Sequence, residues 1–146
     1  MDPEYTGKFL STVGAAATRV AADPIATLHA VFGAIIKGDV EAAGEFMTDD
    51  VELNINGFAP LDGSWKGRNA VVAAAKRNYA QVESQQPTIE GMISQGDSVA
   101  VLIRESGKIK SSGEVYSIRG VQWFMFADGK ISKIDQIAAS IWKAAQ

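Results

Sequence analysis

Residues 114–139, EVYSIRGVQWFMFADGKISKIDQIAA, constrain the fold more than any other stretch of the chain. Val115 to Phe126 is dense in β-branched and aromatic residues, which suits a strand packed on a core. Ala127-Asp128-Gly129 interrupts it, and Gly129 is free to take the positive φ that a tight hairpin needs. Ile131 to Ile137 then returns as a second strand. A long strand, an Asp-Gly turn and a partner strand predict the centre of an antiparallel sheet. On the long strand Val121, Trp123 and Met125 share one face, opposite Gln122, Phe124 and Phe126. Both faces are apolar. One is expected to cover the domain's own helices and the other to meet a second copy of the chain, giving a homodimer through the open sheet face.

The upstream residues supply the helices. Asp23-Pro24 is an N-cap followed by proline at the first helical position. Ile25, Leu28, Phe32 and Ile35 then form an apolar stripe, and Lys37-Gly38 ends the helix. Asp39 caps a second, short helix whose first turn carries Glu41. Val51 to Asn56 alternates apolar and polar residues as a half-buried strand does, and Gly57 to Gly67 reads as a structured loop. A third helix is predicted over Arg68 to Glu83, stopped by Gln86-Pro87. From Thr88 the period becomes that of strands: Thr88–Ser94, Ser98–Glu105, Glu114–Phe126 and Ile131–Ile137, with turns at Gln95-Gly96-Asp97 and Ser106–Gly113. The expected class is α+β, a curved antiparallel sheet packed on three helices. Residues 1–23 form an Ala-rich N-terminal extension with helical spacing, and 24–146 form one domain.

Composition removes several functions. There are no cysteines, so no disulfide, thiolate metal site or thiol nucleophile. His29 is the single histidine, which argues against multi-histidine metal centres. A net charge of −3 without a basic block argues against nucleic acid as a partner. No apolar run has the length of a membrane span, and Met1-Asp2-Pro3-Glu4 lacks the features of a signal peptide, so a cytoplasmic location is expected. No cofactor and no metal are expected.

The order of motifs carries a resemblance. A proline-started helix, GDVEAAGEFM, the strand DDVELNI, SWKGRNAV opening a helix, and the terminal SIRGVQWFMFADGKISKID follow one another. In this order they resemble the ketosteroid isomerase-like and SnoaL-like proteins of the nuclear transport factor 2-like superfamily, over about Pro24 to Ala139. The resemblance implies a cone-shaped fold with a pocket. It places the isomerase's catalytic base at Ile55, its oxyanion tyrosine at Val31 and its oxyanion aspartate at Gln122. None of the three carries the required group, so steroid isomerisation by that machinery is not expected.

The expected pocket is lined by Phe32, Ile55, Tyr79, Leu102, Gln122, Phe124, Ile134 and Gln136. His29 and Asp135 are the candidate acid–base groups, Asp135 facing the pocket only if a bulge reverses the last strand. Arg104 and Tyr116 are read as solvent-reaching and packing residues respectively. Two functions follow. One is binding of a small apolar or aromatic organic molecule, with acid–base isomerase, cyclase or dehydratase chemistry. The other is a non-catalytic binding or dimerisation module that lacks the carboxylate.

Overall fold

The computed structural model describes residues 23–143. The helix expected over the N-terminal extension lies outside the described residues. Helix α1 (Pro24–Ile36) starts where the sequence signals it, with the Asp23 carboxylate accepting from the Ile25 N–H at 3.1 Å. Helix α2 (Val40–Gly44) is capped in the same way by Asp39, at 3.1 Å from the Ala42 N–H. Strand β1 (Met47–Asn56) follows, then a short strand β2 (Gly63–Lys66) inside the stretch expected to be a loop. β2 forms because Trp65 and Ser64 pair antiparallel with Leu53 and Asn54, a tertiary contact with little local signature.

Helix α3 spans Arg68–Gln81, shorter than expected. Strand β3 (Val82–Gln95) begins at once and runs through Pro87. Pro87 is tolerated because β3 is an edge strand, where a missing N–H costs no ladder bond on the open side. Near the start of β3, Ser84 has φ 54° and lies within a break in the register with β4. Strand β4 (Ser98–Ile109) is four residues longer than expected, β5 covers Val115–Ala127, and β6 covers Lys130–Lys143. The β5–β6 turn has Asp128 at φ 52° and Gly129 at φ 78°, the paired positive values of a two-residue hairpin turn.

The six strands form one sheet in the order β2-β1-β6-β5-β4-β3. It is not wholly antiparallel: β1 runs parallel to β6, with Leu53 opposite Ile134 and Ile55 opposite Gln136. The inner face packs on the helices through Leu28, Val31, Val51, Val71, Val99, Val101 and Ile131. Arg68 ties the start of α3 to β1, donating to the Met47 carbonyl at 2.7 Å and pairing with Asp49 at 2.8 Å. The outer face has no helix on it among the described residues. Trp123 is 47% exposed there, Ile137 66% and Ile141 66%.

Candidate functional site

A cavity of about 630 Å³ lies between the inner face of the sheet and helices α1 and α3. Each side chain enters it by a simple rule of phase. On α1, Val31, Phe32 and Ile35 line it, because positions three and four apart share a helix face. On β5, Gln122 and Phe124 enter with period two, and on β6 Ile134 and Gln136 do the same. Phe124 meets Phe32 edge-on, with ring centroids 5.8 Å apart. Ile55 from β1 and Tyr79 from α3 line it as well. Val31, Ile55 and Gln122, where the resemblance placed the isomerase's catalytic groups, all line this one cavity.

Three expected residues lie elsewhere. Leu102 is outside the cavity and Ile103 takes that place. On β4 the buried residues are Val99, Val101, Ile103, Gly107 and Ile109, so the strand presents odd positions inward. His29 is exposed on α1, one step round the helix from fully buried Leu28. Asp135 is on the outer phase of β6, where the Asn54 amide donates to it at 2.8 Å and Lys133 lies 3.8 Å away. The inward residue of that pair is Gln136, 8% exposed. Arg104 pairs with Glu90 at 2.8 Å.

Two polar arrangements face the cavity. The first is an amide pair. Gln122 and Gln136 are direct cross-strand partners, and the Gln122 Nε2 donates to Gln136 Oε1 at 3.0 Å. Gln122 Oε1 is buried with no protein partner. A buried carbonyl left unpaired is costly, so this atom is suited to receive a donor from a bound molecule. Turning both amides by half a rotation keeps the bond between them and offers a donor instead, so the pair suits a ligand hydroxyl or carbonyl.

The second arrangement was not anticipated. Glu105, on β4, lines the cavity. Its Oε2 accepts from the Tyr116 hydroxyl at 2.8 Å and its Oε1 from the Gln85 amide at 2.9 Å. Tyr116 is 1% exposed, held between Phe58 and Trp142 with ring centroids 4.9 and 5.7 Å away. Its hydroxyl reaches Glu105 because Gly107, its cross-strand partner, has no side chain; a Cβ there would sit 2.5 Å from the hydroxyl oxygen. Burial raises the Glu105 carboxyl above its ordinary range, against the lowering effect of its two hydrogen bonds. Burial, the nearby Glu105 charge and their hydrogen bond together push the Tyr116 phenol up. The parity of Glu105 with Val101 and Ile103 is the signal that would have found it.

A second depression, between α2 and α3, is lined by surface charges including Glu41 and Lys76, which pair with each other. Among the described residues there is no cluster of three metal-ligating side chains, and no helix long and apolar enough to cross a membrane.

Comparison with known proteins places this geometry. An NTF2-like protein from Burkholderia thailandensis superposes with a TM-score of 0.71 at 19% identity, covering 80% of this chain and 91% of that one. A computationally designed 17-OHP binder gives 0.70 at 19% identity, over 84% of this chain and 100% of the other. TerC, co-crystallised with polyporic acid, gives 0.67 at 19% identity, over 78% and 89%. These similarities establish the cone-shaped α+β fold. No curated protein matches the chain. Residues 28–134 match the SnoaL-like domain, and the chain belongs to that family, within the NTF2-like fold.

Proposed function

We propose that this protein binds a small, largely apolar organic molecule that presents a hydroxyl or carbonyl group to the Gln122–Gln136 pair. The observation that carries this is the unpartnered, buried Gln122 Oε1 in a largely apolar stretch of the cavity wall. Apolar walls around a few convergent polar groups are the usual composition of a small-molecule site. Two structural neighbours, described as a 17-OHP binder and as a complex with polyporic acid, use the same fold to hold organic molecules.

The test is a thermal-shift series with aromatic and alicyclic ketones, alcohols and parent hydrocarbons. A binder raises the unfolding temperature by an amount that grows with its concentration. Gln122→Leu should weaken hydroxyl- and carbonyl-bearing binders by about 2- to 10-fold, the worth of one net hydrogen bond, and leave hydrocarbons nearly unchanged. Equal loss for both classes would sink the assignment of the amide pair.

We further propose that two copies associate through the outer sheet face. Trp123, Met125, Ile137 and Ile141 form its exposed apolar part, and a two-fold arrangement buries the same patch on both copies. Three of the charges on that face are paired within the chain, Glu90 with Arg104 and Arg119, so covering it strands none of these three.

A further inference from the structure

The amide pair and Glu105 lie at different places on one wall. Gln122 stands opposite Val101, and Glu105 follows Val101 by four residues on the same strand and the same face. At about 3.3 Å per residue the two polar groups are separated by roughly 13 Å of strand. Between them the wall is apolar, with Ile103 facing inward opposite Gly120, and Ile118 stands directly across from Glu105. A molecule with one polar end cannot satisfy both.

We propose that the Glu105 carboxylate is a second polar subsite, so that the cavity selects an elongated, apolar molecule with hydrogen-bonding groups at both ends, one of them a hydroxyl that donates to Glu105. This rests on the amide-pair reading above and extends it to the class of ligand. Tyr116 and Gln85 each occupy one acceptor position on Glu105 and fix its orientation. An ionised carboxylate has about four acceptor positions, so two remain for a ligand. The pair of donors also explains how a charge is kept at the wall of an apolar cavity.

Glu83, Arg104 and Lys110 also line the cavity. Glu83, on β3, pairs with Lys108 at 3.5 Å, and Arg104 pairs with Glu90. Lys110, just beyond the end of β4, is held by its backbone N–H to the Gln81 carbonyl, and its side chain is the cation on this part of the lining that faces Glu105 in any pH dependence. On α3, Tyr79 is the ionisable group that lines the cavity. Lowering the pH through the Glu105 titration removes the charge that receives the ligand hydroxyl.

The experiment compares para,para′-biphenol, with a hydroxyl at each end, and para-phenylphenol, with one. Calorimetric titration is run on wild type, Gln122→Leu and Glu105→Gln. The latter keeps the side chain's size and an acceptor for Tyr116. The diol should lose affinity in both variants, by about tenfold in Glu105→Gln, since a charge-assisted bond is replaced by a neutral one. The mono-ol should lose affinity in only one. In wild type the diol's advantage should shrink as the pH falls through the Glu105 titration, and in Glu105→Gln that pH dependence should vanish. The pH arm uses wild type alone and survives a poorly folding variant. Sensitivity of the diol to Gln122→Leu alone, with no pH dependence, overturns the Glu105 subsite and leaves the amide site standing. Sensitivity to Glu105→Gln alone overturns the amide site, and with it the two-ended ligand. Sensitivity to neither overturns both.

Discussion

Gly107→Ala is expected to destabilise the protein through one identified contact. A Cβ on Gly107 would lie 2.5 Å from the Tyr116 hydroxyl oxygen, 2.7 Å from Cζ and 2.9 Å from Cε1. The ring has little room to retreat, because it is 1% exposed and packed between Phe58 and Trp142. Overpacking of this kind costs about 1–3 kcal/mol. Alanine in a strand recovers about 0.5–1 kcal/mol of glycine's conformational entropy, and Gly107 does not require a positive φ. The clash wins, leaving a net loss of about 1–2 kcal/mol. For a chain of this size that lowers the unfolding temperature by roughly 2–8 °C. Gly91→Ala is the control, since a Cβ there meets nothing within 4 Å. Thermal and urea unfolding of both variants decide the matter. If Gly107→Ala is as stable as Gly91→Ala, the close packing of Tyr116 against β4 is wrong, and the support it gives Glu105 goes with it.

Two further outcomes are expected. The folded-state pKa of Glu105 lies above the ordinary value of 4.5, so between the two the folded state holds more protons than the unfolded one. Stability should therefore fall as pH rises through that window, and the urea midpoint of Glu105→Gln relative to wild type should rise over the same range; a difference independent of pH would refute the burial argument. Trp123→Glu places a charge in the centre of the exposed apolar face, so sedimentation velocity should show the wild type as a dimer and the variant shifted to monomer, and a monomeric wild type at micromolar concentration would end the proposal.

The sequence by itself determined the elements whose signals are local. Asp23-Pro24 and Asp39 set helix starts through capping chemistry within three residues. Asp128-Gly129 set the central hairpin, but a bulge between Met125 and Phe126 shifts its register by one residue before Phe124 meets Ile134 and Gln122 meets Gln136. The resemblance put Gln122 and Gln136 on the pocket side, and their bond to each other appeared only in the tertiary structure. Tertiary structure decided the rest. The run Val99-Ala100-Val101-Leu102-Ile103 is apolar on both sides, so its alternation carries no phase, and only packing selected Ile103 over Leu102. The same phase turned Glu105 inward. Its meeting with Tyr116 depends on the register that puts Glu105 opposite Ile118 and Gly107 opposite Tyr116, two strands set by their shared ladder and not by residues near either side chain. The parallel seating of β1 on β6, between strands some 80 positions apart in the chain, likewise left no local trace. A sequence states what each segment prefers; which segments meet, and with which face, follows from the burial they achieve together.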